Sequence, residues 1–260
     1  MKLTYEISEL VPYINWIYFY YAWQLRDAEA QQRQRKDAEA VLAELNGKYR
    51  VYALFELLEA NAEGDDIMAG GHRIPLLRQQ SGDCLCLSDF IRPSSSGVKD
   101  RIGIFATSVD HGLECDFDTD PYMKMMVQLL ADRLAEAAAE KMHESVRRTY
   151  WGYSPDEHLS MDELHAERFV GIRPAIGYPS LPDTSVNFVL DEMIDLKQIG
   201  IRLTESGAMK PHASVSGLMI SLPQAHYFSI GRIGHDQLAD YAKRRGLPIE
   251  VVRKFMSSNL

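Results

Sequence analysis

The stretch Gly171-Ile172-Arg173-Pro174-Ala175-Ile176-Gly177-Tyr178-Pro179 decides how the rest of the chain is read. Its two prolines and two glycines exclude a helix interior. Each proline fixes φ and lacks a donor, and Gly177 permits a turn that other residues resist. The segment is therefore a rigid, irregular loop that fixes one arginine and one tyrosine. Arg173 presents a planar fork matched to a carboxylate, and Tyr178 offers a ring face and a hydroxyl. A tight structural turn with a surface arginine is the plain alternative for such a loop. The surrounding sequence argues against it.

With 260 residues, 46% hydrophobic and 25% charged, the chain can bury a sizeable core and has ordinary globular composition. A net charge of −9 argues against unspecific nucleic-acid binding, which needs clustered Lys and Arg. No apolar run reaches the roughly 18 residues of a membrane span, and the N-terminus lacks the apolar centre of a signal peptide. Three thiols, Cys84, Cys86 and Cys115, are an odd and sparse set that fits a reducing, cytoplasmic compartment. Alternation in a strand would put Cys84 and Cys86 on one face, but no second pair completes a tetrahedral metal site.

Residues 3–7 alternate, and an aromatic patch follows: Tyr13, Trp16, Tyr18, Phe19, Tyr20, Tyr21 and Trp23. Core packing is its default reading, and a partner or ligand surface the sharper one. Residues 25–45 read as a helix stopped by Asn46-Gly47. Residues 51–58, 67–69 and 101–107 read as strands. Asp120 and Pro121 open the longest helix, with apolar residues at helical spacing as far as about Arg148. Asp132, Glu136, Glu140 and Glu144 recur every four residues on another of its faces, a ladder that reads as solvated. Ser160 caps a short helix through Glu167 and Phe169, and residues 185–200 form another that Gly200 ends. Residues 203–209 read as a strand, and residues 213–222 and 226–233 as a hairpin. Residues 236–245 form a helix closed by Gly246, and a last helix follows Pro248.

Several of these pieces resemble, in order and spacing, the activation domain of cobalamin-dependent methionine synthase. They are Asp132-Arg133-Leu134-Ala135-Glu136, Tyr150-Trp151-Gly152-Tyr153, the Arg173 loop, Leu203-Thr204-Glu205-Ser206 with Ala208-Met209, and Ala213-Ser214-Val215-Ser216-Gly217. No single piece is decisive, but five in register are specific. The resemblance is fullest over residues 120–260 and thinner over residues 1–119, where Tyr13-Ile14-Asn15-Trp16 has a counterpart. It implies one α+β domain over residues 1–260, C-shaped, with a bent antiparallel sheet flanked by helices and a shallow groove for S-adenosylmethionine.

The resemblance also implies roles. Arg173 would hold the ligand's carboxylate and Glu136 would sit near its amino group. Ala175 would give backbone contacts, and Tyr227 and Phe228 would lie against the ligand. Tyr178 and Glu167 would face the docked corrinoid. Asn15 stands where the family commonly has a ligand-contacting Asp, and Phe228 stands where it has a second Tyr. The implied function is reactivation of a separate cobalamin-dependent methionine synthase. Its cob(II)alamin would gain an electron from a flavodoxin-like donor and a methyl group from S-adenosylmethionine, so the chain would act in methyl transfer only with that partner. S-adenosylmethionine carries a carboxylate, an ammonium and a sulfonium, which an Arg fork, a carboxylate and aromatic faces would recognise. Such a transfer needs orientation and no general acid or base. Asn15 and Phe228 motivate a second reading, a non-catalytic module that docks on a corrinoid protein; a third keeps the chemistry and serves another corrinoid methyltransferase. A classical methyltransferase fits poorly, since no Gly-rich loop leads from a strand into a helix.

Overall fold

A computed structural model describes residues 1–256 as an α+β fold around one curled antiparallel sheet. The N-terminal part runs β1 (Lys2–Tyr5), α1 (Ile7–Leu10), α2 (Trp16–Ala22) and α3 (Ala28–Leu45). Next come β2 (Val51–Glu63), β3 (Asp66–Ala69), β4 (His72–Pro75) and β5 (Asp100–Val109). Then follow α4 (Gly112–Cys115), the long α5 (Pro121–Ser145), α6 (Met161–His165) and α7 (Val186–Ile194). The C-terminal part holds β6 (Arg202–Leu203), β7 (Met209–Lys210), β8 (Ser214–Met219), α8 (His235–Arg245) and α9 (Ile249–Phe255). The sheet order is β4-β3-β2-β5-β8, with β1 paired to the start of β2. No helix among the described residues is long and apolar enough to cross a membrane.

Alternation along the strands divides the core in two. Val51, Ala53, Phe55, Phe105, Val215 and Met219 point to the face covered by α1, α2, α3 and α5. Leu54, Ala60, Ile102, Ile104, Ala106 and Leu218 point to the other face, covered by α7. Asp120 caps α5 by accepting from the Tyr122 and Met123 amides. The helix settles on the sheet through small residues, Ala131, Ala135, Ala138 and Ala139, all buried. Thr107 of β5 donates to the Ala135 carbonyl at 2.9 Å within that contact. This fixes the rotation of α5 and so aims Glu136 and Glu140, which follow.

The aromatic patch divides by helical period. Phe19 is buried, with Trp16, Tyr20 and Trp23 packed on the same core. Ile17, Tyr18 and Tyr21 face outward, Tyr21 with 73% exposure. The core reading therefore holds for one face of α2, and the opposite face is exposed.

Four expectations are corrected. The hairpin of residues 213–222 and 226–233 does not form, because the edge of β8 is already taken by the Arg173 loop. Ile172 exchanges both backbone bonds with Ile220 at 2.9 Å, Leu218 donates to Pro174 at 3.0 Å, and Ile176 donates to Ser216 at 2.9 Å. Second, residues 203–209 are not one strand; β6 and β7 form a two-stranded ribbon around a turn. Third, helices end early. Residues 186–199 break at Asp195, whose φ is 49°, and α6 stops before Glu167, whose φ is 57°. Fourth, Cys84 and Cys86 do not share a strand face: Cys84 is exposed and Cys86 buried, just before a single helical turn.

The loop sits close to β8 because position 217 has no side chain. A Cβ there would lie 2.2 Å from the Pro174 carbonyl oxygen and 2.9 Å from the Ala175 Cα. Gly171, with φ of 80°, is held the same way against the Ile220 carbonyl, 2.2 Å from where its Cβ would be. Gly217→Ala is therefore expected to push the loop off β8 and to cost about 2–4 kcal/mol of stability in urea unfolding. A loss under about 0.5 kcal/mol, the usual surface range, would show that the close approach is not required.

Candidate functional site

A cavity of about 580 Å³ opens where the Arg173 loop, α5, residues 13–18 and residues 227–228 meet. Its size is that of a small-molecule site. Asn15, Glu136, Glu167, Arg173, Ala175, Tyr178, Tyr227 and Phe228, singled out in the sequence, all line it. Tyr13 and Tyr18 of the aromatic patch line it too, with Arg133, Glu140 and His165, to which the sequence reading assigns no site role.

Arg173 forms the back of the cavity. It is 8% exposed, and its guanidinium lies over the Phe105 ring at 5.4 Å. One Nη pairs with Glu140 Oε1. Its backbone N–H donates to the Tyr227 hydroxyl at 2.9 Å. Burial works against its charge, but Glu140, then Tyr227 and Glu136, outweigh that and hold the guanidinium more firmly protonated. Its Nε and the Glu140 Oε2 find no hydrogen-bond partner among the described residues. A buried charged donor without an acceptor is costly, and the residue that carries it lines the cavity.

The remaining wall is mixed. The Tyr178 hydroxyl donates to Glu136 Oε1 at 3.1 Å, and the nearby Glu136 charge, with burial, pushes the phenol up to about 12. Burial and Glu140 raise the Glu167 carboxyl, against the pull of Arg173. Tyr227 is also pushed up to about 12, chiefly by burial. The Asn15 side chain caps α2, accepting from the Ile17 amide at 3.2 Å. Phe228 meets Phe90 edge to face at 6.1 Å. His165 donates through Nε2 to the Tyr13 carbonyl at 3.1 Å. The acidic ladder on α5 is thus not a solvated face, which corrects the sequence reading. Glu136 and Glu140 turn into the cavity, and Glu144 accepts from Tyr13 at 2.6 Å. Only the spacing of Glu140, one turn beyond Glu136 on the same face, carried a signal for it.

A buried polar cluster underlies the loop. Arg147, with no exposed surface, makes three hydrogen bonds to Glu157 at 2.6, 2.9 and 3.0 Å and lies over Phe169 at 4.3 Å. His143, one turn earlier, meets Phe169 edge to face at 4.9 Å and Tyr153 at 3.3 Å. Burial, with Arg147 and Arg173 nearby, holds its pKa well below the ordinary value, so it is neutral. The cluster ties Tyr153, Glu157 and Phe169 to His143 and Arg147, just ahead of the Arg173 loop in the chain. Chemically, the cavity can hold a molecule bearing both a carboxylate and cationic groups. Its polar residues are spent on charge recognition.

Residues 6–246 match the family model described as vitamin B12 dependent methionine synthase, activation domain. Among solved structures, the chain is similar to a crystal structure of the MetH reactivation domain bound to AdoHcy. The two share 37% identity over 100% of this chain and 90% of that one, with a TM-score of 0.93.

The His143 cluster predicts a pH dependence with a definite sign. The unfolded imidazole binds a proton near pH 6.5 and the folded one does not. The stability contributed by neutral His143 is complete above that pH and falls as the solution is acidified through it. Between about pH 6.5 and 5.5, wild type should lose about 1 kcal/mol more than His143→Gln in urea unfolding. Parallel curves for the two proteins would contradict the assignment.

Proposed function

Given that the chain belongs to the family of activation domains of vitamin B12-dependent methionine synthase, we propose that its cavity binds S-adenosylmethionine for reactivation of that enzyme. The observation that carries this reading is a cavity of ligand size whose wall sets the buried guanidinium of Arg173 beside the carboxylates of Glu136 and Glu140. In this reading Arg173 holds the ligand's carboxylate and Glu136 its ammonium. Ala175 supplies backbone contacts, and Tyr227 and Phe228 bound the ligand on the side opposite α5. Asn15 does two things: its carbonyl oxygen caps α2 and its amide faces the ligand.

In this reading cobalamin is carried by a module outside residues 6–246, the span of the family match. We place it on a separate methionine synthase chain, with a flavodoxin-like protein as electron donor. Reduced cobalamin, when docked, supplies the nucleophile for the methyl group. The contribution of this chain is to hold the sulfonium still and leave its methyl group open toward Tyr178 and Glu167 at the cavity mouth. That is catalysis by positioning, which asks for rigid walls and no proton transfer. Pairing of Arg173 with Glu140 and of Tyr178 with Glu136 supplies the rigidity.

Calorimetric titration with S-adenosylmethionine tests the reading. Arg173→Met should weaken binding by about 100-fold, and Arg173→Lys, which keeps the charge and loses the fork, by about tenfold. Asn15→Asp keeps a good helix cap and adds a negative charge, so it should tighten the cationic ligand several-fold at unchanged stability. Unchanged affinity in Arg173→Met would overturn the site. Reactivation of a cob(II)alamin-loaded methionine synthase, with reductant, should follow the same order among the variants.

A further inference from the structure

Building on the S-adenosylmethionine reading, we propose that Glu140 sets the charge selectivity of the cavity. The cavity thereby holds a ligand with a net positive charge more tightly than its neutral counterpart and favours release of the demethylated product.

The charged groups of the wall are unequal. Glu136, Glu140 and Glu167 oppose Arg133 and Arg173. The positive charge of Arg173 is already committed to Glu140, in a pair almost closed to solvent. Arg133 is half-exposed and lies over the Tyr18 ring at 5.6 Å, toward the rim. That leaves Glu136 and Glu167 facing the cavity without a cation bound to either. Among the described residues Glu136 receives only a phenolic hydrogen bond, from Tyr178. Glu167 makes no ion pair among the described residues, and its left-handed backbone, with φ of 57°, is a conformation that only a determined local structure holds. The raised Glu167 carboxyl and Tyr178 phenol agree with this surplus of negative charge.

A ligand carboxylate meets the guanidinium of Arg173, and the two unpaired carboxylates remain for two ligand cations. S-adenosylmethionine has two, an ammonium and a sulfonium. On methyl transfer the C–S bond breaks and its electron pair stays on sulfur. The acceptor's own electron pair makes the new bond to carbon. The ligand left behind, S-adenosylhomocysteine, has a neutral thioether and one positive charge fewer. The same cavity then has an unanswered carboxylate. In water-poor surroundings such a difference is felt over several ångströms. Glu140 is the residue that creates it, because with a neutral residue there the guanidinium of Arg173 would offset the remaining acids.

The test compares three ligands by calorimetry in wild type and Glu140→Gln. They are S-adenosylmethionine, S-adenosylhomocysteine, and sinefungin, which carries an amine where the sulfonium methyl would be. All three share the carboxylate, ribose and adenine, so any general effect of the substitution on Arg173 or on folding cancels in the affinity ratios. Wild type should favour both cationic ligands over S-adenosylhomocysteine by about tenfold at low salt, and less at high salt. Glu140→Gln should shrink the ratio to about twofold. Should that variant fail to fold, Glu167→Gln should shrink it in the same direction. Equal affinities in wild type, or a ratio that neither substitution changes, would overturn the proposal while leaving the ligand site standing. No binding of any of the three would overturn the site reading itself and this proposal with it.

Discussion

A guanidinium cannot be left unpaired in a wall of protein, and the contact of Arg173 with Glu140 is where fold and site become one problem. Each partner arrives by a different route. Glu140 comes on α5, whose rotation is fixed by its alanine face and by the Thr107 bond to the Ala135 carbonyl. Arg173 comes on a loop laced to β8, as close as Gly217 allows. Phe105 of β5, the strand between them, lies beneath the guanidinium. The pair forms only if helix, sheet and loop all sit correctly. That pair leaves the Arg173 Nε and the Glu140 Oε2 without a hydrogen-bond partner among the described residues, beside the cavity that both residues line.

The fold was legible where a local signal had no competitor. Asp120 with Pro121 marked the start of α5, a short buried apolar run marked β5, and alternation marked β8. Gly246 closes α8 in the left-handed conformation. The sequence was misread where a distant partner decided the outcome. Residues 226–233 have strand-like composition, but the edge they needed is occupied by a loop some fifty residues earlier in the chain, and only tertiary pairing reveals that. The acidic ladder was misread for a related reason. Charges every four residues look solvated until Arg173, Tyr178 and Tyr13 are found opposite them.

The site was legible in a different manner. No pattern within α5 or the Arg173 loop alone assigns a ligand; five motifs in register do so through resemblance. The structure brings all eight residues picked on that ground into one cavity. It adds Glu140, which the motifs left as one rung among four. It also gives the two departures physical sense. Asn15 performs the capping that an Asp would perform, and Phe228 packs on Phe90, a contact that needs no hydroxyl.

The central claim is that Arg173 is aimed at the carboxylate of a bound amino-acid tail. A crystal structure of the chain with S-adenosylmethionine tests it most directly. The account predicts the ligand in this cavity, with its carboxylate within hydrogen-bond distance of the Arg173 Nε and the Glu140 pair intact. A ligand bound elsewhere, or one whose carboxylate turns away while Arg173 keeps only Glu140, would contradict it.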